Sequence, residues 1–280
     1  MTEPAANKAS QIDLHIHTSC SDGTLTPEQV VQQALAVGLK VIAIADHDAT
    51  LGIEPAIRAA EGTGLEVVPA VEINTDYADT EVHVLGYFID PEAAVLKSLL
   101  QNVHLARLER NRRILSNLAS LGMHVSEDRV LEIAGAGTVC RPHLALAMLE
   151  AGYVASQLEA FDLYLGRGRA AYEPRYSLTP HEAAATIRAA GGIPVVAHPL
   201  KMRNDALITE MAAAGVGGLE AYHCDHKPSQ VHRYLALARS LGMVVTGGTD
   251  SHGPGGPRPI EIGSVRVPDW VWPQLLAARR

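Results

Sequence analysis

Short apolar runs rich in valine, isoleucine and alanine recur along the chain, and most are followed by a stretch with helical spacing of apolar positions. Ile12–His17 reads as a strand, and Pro27–Val37 as a helix opened by Thr26 as cap with Pro27 in its first turn. Lys40–Ala45 is a second strand, Ile53–Gly62 a helix and Leu65–Glu72 a third strand. Glu81–Tyr87 is a further strand, expected to form a hairpin with Glu72–Asp76. The rhythm resumes later with a helix at Pro180–Ala190 after Thr179, and strands at Ile193–Ala197, Gly217–Ala221 and Met243–Gly247. Helices at Asp205–Ala214 and Pro228–Leu241 separate those strands. Strands alternating with helices predict an α/β architecture with parallel strands, and this many units favour a closed barrel over an open sheet.

Residues 91–174 break the alternation. Ala93–Leu121, Glu127–Ala134 and Pro142–Ala151 have helical periodicity, with no convincing strand among them. The organisation expected is a barrel domain from residues 11–90 and 175–280, with residues 91–174 as a helical insertion on its rim that contributes to the substrate site.

Composition narrows the function classes. With 280 residues, 47% of them hydrophobic and 19% charged, the chain can bury a sizeable core. A net charge of −8 argues against coating duplex nucleic acid, but not against a small anionic substrate, because bound cations invert the local field. Cys20, Cys140 and Cys224 form no CxxC pair and are expected to be reduced thiols. The polar stretch Met1 to Gln11 lacks the apolar core of a signal peptide, and no apolar run is long enough to span a bilayer. The expected location is cytoplasmic, with no membrane partner.

The chemistry collects at strand ends. His15 and His17, two residues apart on a strand, point to the same face, and Asp22 follows in the next turn. His47 and Glu72 end the second and third strands, and His83 sits on the hairpin strand. His198 ends a later strand, and Asp250 and His252 follow the last. In barrel enzymes the C-terminal strand ends and the loops after them carry the catalytic groups. So many imidazoles and carboxylates exceed the needs of one ion, and a nitrogen and oxygen donor set without thiolate suits Mn²⁺, Fe²⁺ or Zn²⁺. Two or three ions would use them all. Asp13 shares the face of the paired histidines, and a structural role suits it better. His104, His124, His181 and His232 read as ordinary surface or core residues.

DLHIHTSCSDG, ADHD, the Glu72 strand end, VHVLGY, AHP and GTDSH, in this order, resemble the ordered motifs of the PHP (polymerase and histidinol phosphatase) superfamily. The resemblance implies a distorted (β/α)₇ barrel with a trinuclear metal centre at its C-terminal mouth, Mn²⁺ being the favoured ion. It implies that His15, His17, Glu72 and Asp250 hold one metal. Glu72 bridges to a second with His83 and His198, and Asp22, His47 and His252 hold the third. The chain has Ala45 where the second motif often has threonine.

Within the superfamily the insertion resembles that of the subgroup of 3′,5′-nucleoside bisphosphate phosphatases and 5′-to-3′ exoribonucleases. Arg141-Pro142-His143 opens a helix, with Pro142 as its first residue, and offers backbone N–H groups, a guanidinium and an imidazole to a phosphate. Arg169 lies in the glycine-bearing basic loop Leu165–Tyr172, a second expected contact. Arg107, Arg110, Arg112 and Arg113 spread around one long helix and are expected on a solvated or rim-facing surface. His226 and Asp22 are further expected substrate contacts.

The reaction implied is hydrolysis of the 3′-phosphate of a nucleoside 3′,5′-bisphosphate, or of a short 5′-phosphorylated RNA, by a hydroxide bridging two of the ions. Asp250 would orient the nucleophile or accept its proton, and His252, His47 or a water would protonate the leaving oxygen. Competing readings are a histidinol-phosphate phosphatase, a TatD-type DNase and a PHP module kept as a structural, non-catalytic metal-binding domain.

Overall fold

The computed structural model describes residues 10–77, 80–135, 139–174, 176 and 178–279. Nearly all of the N-terminal stretch Met1 to Gln11, and Arg175 at the expected domain boundary, lie outside the described residues. Seven strands run in sheet order β1 (Ile12–Ile16), β2 (Val41–Ile44), β3 (Glu66–Tyr77), β4 (Thr80–Tyr87), β5 (Ile193–Val196), β6 (Gly218–His223) and β7 (Val244–Gly248). The sheet bends round so that its ends meet. Just past β1 and β7, His17 N–H donates to Ser251 O at 2.9 Å, and Asp250 N–H donates to His15 O at 2.8 Å. The result is a nearly closed seven-stranded barrel with helices around it, the PHP-type fold expected from the motifs.

The sheet is mixed. β1–β2–β3 and β5–β6–β7 pair in parallel, whereas β4 runs antiparallel to both neighbours. β3 is one continuous strand through Tyr77 and pairs with β4 from Ala70 opposite Tyr87 to Tyr77 opposite Thr80. The expected strand and the expected hairpin arm are therefore parts of one long ribbon. Reversal of β4 brings the start of that strand, and with it His83, to the same barrel end as Glu72.

The helices around the barrel are α1 (Pro27–Ala36), α2 (Ile53–Ala60), α7 (Pro180–Ala189), α8 (Ala206–Ala213), α9 (Pro228–Leu241) and α10 (Val271–Ala277). Thr26 and Thr179 cap α1 and α7 as their sequences predict: each side chain accepts the third helical N–H, and Gln29 or Glu182 reaches back to the cap backbone. Every residue of β1 and β2 is buried, which is why these strands read as continuous apolar runs. Leu14, Ala43, Val71 and Val195 belong to one cluster, and Ile16, Ile42 and Ile44 pack with Val30, Val31 and Ala56 beneath α1 and α2.

Between β4 and β5 stand α3 (Ala94–Ser120), α4 (Glu127–Ala134), α5 (Arg141–Glu150) and α6 (Gln157–Ala160), the last running into a π-helical turn at Phe161–Leu165. These helices gather their own apolar cluster around Ile114, Leu118, Val130, Leu144, Met148 and Leu165. Leu96 at the start of α3 belongs instead to the barrel cluster. One helix thus spans both packed regions and fixes the insertion over the barrel mouth. No helix among the described residues is long and apolar enough to cross a membrane.

Candidate metal centre

β1 delivers His15 to the barrel interior and His17 one residue past its end; both are buried. Their Nε2 atoms approach to 3.1 Å. Glu72 Oε2 lies 3.4 Å from the first and 3.3 Å from the second, and Asp250 Oδ1 lies at 3.5 Å and 3.2 Å. Two imidazole nitrogens and two carboxylate oxygens from β1, β3 and the end of β7 thus converge on one point. Glu72 extends the cluster through its other oxygen: Oε1 is 2.8 Å from His83 Nδ1 and 2.8 Å from His198 Nε2. A further group joins Asp22, His47 and His252 to His17, with His252 Nε2 3.3 Å from Asp22 Oδ1. All nine residues expected to hold metal therefore lie in one connected cluster at the strand ends.

The donor set fits metal ions. Buried His17 Nδ1, Asp22 Oδ1, Glu72 Oε2 and His198 Nδ1 have no hydrogen-bond partner, a costly arrangement for a site completed by protein groups alone. The nearby nitrogens and oxygens, with no thiolate among them, match Mn²⁺, Fe²⁺ or Zn²⁺. Electrostatics agree. Burial opposes ionisation of Glu72, yet His47, His83 and His15 outweigh it and hold the carboxyl well below the usual range. Burial, reinforced by the Lys201 charge, pushes His198 down to about 3 and keeps its lone pair available. His252 donates Nδ1–H to Asp250 O at 2.9 Å, which turns Nε2 toward Asp22.

Support for the ligands comes from residues that the sequence motifs did not single out. Glu220, fully buried on β6, accepts from His15 Nδ1 at 3.0 Å and from His198 N–H at 2.6 Å. Lys201 Nζ donates to Asp250 Oδ2 at 3.1 Å, and Arg258 Nε lies 3.1 Å from the same oxygen. Asp250, expected to orient the nucleophile or take its proton, has Oδ2 beside these cations and Oδ1 beside the two histidines. Asp13 is structural as expected: it accepts from Thr249 N–H at 2.9 Å, Thr249 Oγ1 at 2.8 Å and Gly263 N–H at 2.8 Å, tying β1 to the loop after β7.

Several of these residues adopt backbone angles that are uncommon outside glycine. Asp48 (φ 48°), His198 (φ 26°) and Asp250 (φ 54°) all have positive φ at strand ends around the site. Asp48 accepts from Asn74 N–H at 3.0 Å and from Asn74 Nδ2 at 2.8 Å, and pairs with Arg107 of α3. Of the four arginines expected on a solvated or rim-facing surface, Arg107 and Arg110 line the cleft beside the candidate ligands, whereas Arg112 and Arg113 are exposed and pair with Glu127 and Glu109.

The cleft runs from Asp22, His47 and His83 to Arg107, Arg110 and Arg141, with Phe161, Tyr176 and Leu178 as apolar lining. Arg141 is the first residue of α5 and Pro142 the second, a one-residue shift from the expected start. Arg141 lies over the Phe161 ring, 5.7 Å from its centre, and 3.9 Å from Glu81, which also accepts from His83 at 2.8 Å. His143 Nδ1 accepts Cys140 N–H at 3.1 Å as part of the α5 cap; the ring lies close enough to Asp22 and Arg107 to feel their charges but is not part of the cleft wall. Arg169 is exposed in the turn after the π-helical segment and is likewise not part of the cleft wall. His226 donates Nδ1–H to Ala221 O at 2.9 Å and packs on Tyr234, outside the cleft. The three cysteines are free, and His104, His124, His181 and His232 are exposed.

Residues 13–156 match the family model described as the PHP domain, a span that holds the paired histidines, Glu72 and His83. The chain belongs to the PHP family. It is 33% identical to a 5′-3′ exoribonuclease of Haemophilus influenzae over 87% of its own length and 90% of the relative's. It is 31% identical to a 3′,5′-nucleoside bisphosphate phosphatase of Chromobacterium violaceum, covering 88% of each chain. A solved structure from Bifidobacterium adolescentis, assigned as a metal-dependent phosphoesterase, superposes with a TM-score of 0.88 at 35% identity over 96% of both chains. Likeness over whole chains, together with the intact donor cluster, identifies this PHP protein as a metal-dependent phosphoester hydrolase.

Proposed function

We propose that this PHP enzyme removes the 3′-phosphate of nucleoside 3′,5′-bisphosphates, or trims short RNAs that carry a 5′-phosphate, with Mn²⁺ as the favoured ion in a cluster of two or three. One observation carries the reading: a single cleft joins the metal-ligating residues to a wall of arginines on the insertion. A simple monoester uses only the metal end of such a cleft. A ligand with two phosphates, or one phosphate and a following nucleotide, fills both ends. The named relatives, an exoribonuclease and a bisphosphate phosphatase, act on substrates of this kind.

His15, His17, Glu72 and Asp250 would hold one ion, Glu72, His83 and His198 a second, and Asp22, His47 and His252 a third. Bound ions neutralise charge on the phosphoryl oxygens and lower the pKa of water toward neutrality. The side chains do the rest. Arg141, at the N-terminus of α5, holds the phosphate that does not react, where the guanidinium and the backbone N–H groups both favour an anion. Phe161 and Tyr176 offer faces for the base. Insertion helices over the mouth limit access by bulk water.

The test is a substrate panel with purified, Mn²⁺-loaded protein. Phosphate release is expected to be faster from adenosine 3′,5′-bisphosphate than from AMP or histidinol phosphate. Arg141→Ala is expected to raise KM for the bisphosphate about tenfold or more, with little change in kcat and none in KM for AMP. Histidinol phosphate as the fastest substrate, or an Arg141→Ala enzyme with wild-type KM, overturns the proposal.

A further inference from the structure

Asp250 divides its carboxylate between two surroundings. Oδ1 belongs to the histidine and Glu72 cluster, 3.2 Å from His17 Nε2 and 3.5 Å from His15 Nε2. Oδ2 accepts from Lys201 Nζ at 3.1 Å and from His223 Nε2 at 3.4 Å, with Arg258 Nε at 3.1 Å. These neighbours come from separate places: the 3₁₀ turn Pro199–Met202 after β5, the end of β6, and the loop after β7. Their own orientation is fixed. Asp225 N–H donates to His223 Nδ1 at 3.1 Å, so the ring proton sits on Nε2 and points at Asp250. Arg258 is held from behind by Asp225 Oδ2 at 2.9 Å and Cys224 Sγ at 3.0 Å.

A carboxylate beside a divalent ion binds through one oxygen or through both. Choosing between them requires that the second oxygen have better partners elsewhere. Two cationic side chains and an oriented N–H supply such partners for Oδ2. We propose that Lys201, together with His223 and Arg258, is a positioning residue that restricts Asp250 to offering a single oxygen, Oδ1, to the metal cluster. The proposal rests on the metal-dependent centre and not on which phosphoester is the substrate. Its consequence for catalysis is an open position. A second Asp250 oxygen turned toward the cluster would occupy space that water or the reacting phosphoryl group needs. Positive charge beside a cation site disfavours metal binding on its own, so the position of Lys201 is better explained by geometry than by affinity.

The test compares Lys201→Met and Lys201→Arg in the full-length, Mn²⁺-loaded enzyme. Metal content is read by elemental analysis, access of solvent to bound Mn²⁺ by water-proton relaxation, and turnover with adenosine 3′,5′-bisphosphate. Lys201→Met is expected to keep its Mn²⁺, to lose relaxation enhancement per bound ion, and to lose about ten- to hundredfold in kcat with KM unchanged. Lys201→Arg, which keeps the charge near Oδ2, is expected to restore both relaxation and kcat toward wild type. Unchanged relaxation in Lys201→Met overturns the proposal. So does loss of Mn²⁺ from that variant, which would make Lys201 a determinant of affinity. If the wild-type enzyme does not turn over the bisphosphate, the substrate reading fails while the relaxation comparison still decides this proposal.

Discussion

Glu220 shows how one buried side chain sets the chemistry of its neighbours. It has no exposed surface, and burial works against its charge, yet His15 and its hydrogen bond outweigh that cost and lower its pKa to about 2. As an anion it can only accept, so His15 must donate from Nδ1, which leaves Nε2 as the nitrogen that faces the other candidate ligands. The same carboxylate accepts His198 N–H and so fixes a second ligand from behind. Glu220→Gln keeps size but puts an N–H₂ on one side, and one of those two contacts is lost. We expect metal affinity to fall about ten- to hundredfold while the fold is retained. Metal content after dialysis at controlled free Mn²⁺ measures this, and wild-type content would show that the carboxylate charge is dispensable. The candidate donor cluster was legible in the sequence because spacing advertises it: two residues apart in His15 and His17, and again in Asp250 and His252. Glu220 stood alone in an apolar run, Gly217–Ala221, with nothing nearby to pair it. The available signal was thermodynamic: a carboxylate inside a strand buried on both faces needs a partner, and here that partner was a ligand.

Elements bring these residues together, and the seam between β1 and β7 matters most, since candidate ligands lie on β1 and just past the ends of both strands. Gly248 lies at that seam. A Cβ there would sit 2.4 Å from His15 N, 2.6 Å from His15 Cβ and 2.9 Å from Asp13 Oδ1, so the strands touch only because the side chain is absent. Gly248→Ala must push β1 outward. We expect a loss of about 1–3 kcal/mol in stability from overpacking, together with weaker metal binding because His15 moves with its backbone. Denaturant unfolding of the metal-free protein isolates the first effect and Mn²⁺ titration the second; an alanine variant with wild-type values in both would mean that the seam is slack. Strand and helix identities were largely legible, because buried parallel strands write apolar runs and Thr26 and Thr179 write helix caps. The antiparallel direction of β4 follows from the hairpin expected of Glu81–Tyr87 with Glu72–Asp76. Roles inside the insertion were hardest to read. Spacing showed that Arg107, Arg110, Arg112 and Arg113 circle α3, but only the packing of that helix selects which of them face the cleft.

At the scale of the whole molecule, two packed regions differ in what they owe to metal. Every residue of the donor cluster lies on the barrel strands or the loops that follow them, and among the described residues the insertion gathers its own apolar cluster without contributing a candidate ligand. Without ions, the barrel mouth concentrates Glu72, Asp22 and Asp250 among histidines, with several buried ring nitrogens and carboxylate oxygens unpartnered. An ion that binds the folded state and not the unfolded chain stabilises by about 2.7 kcal/mol when its free concentration is a hundred times its Kd. Removal by a chelator therefore lowers Tm by several degrees for a chain of this size, and excess Mn²⁺ restores it. The loss should also be uneven. Amide exchange is expected to quicken at His15–His17, around Glu72 and at Thr249–His252, where ligands are backed by ladder hydrogen bonds across the seam. Met148 and Leu144 in α5, fully or nearly buried in the insertion's own cluster, should keep their protection. Equal deprotection of both regions would mean that barrel and insertion unfold as one cooperative unit through α3. An unchanged Tm after complete removal of metal would mean that the donor cluster contributes nothing to the stability of the fold it completes.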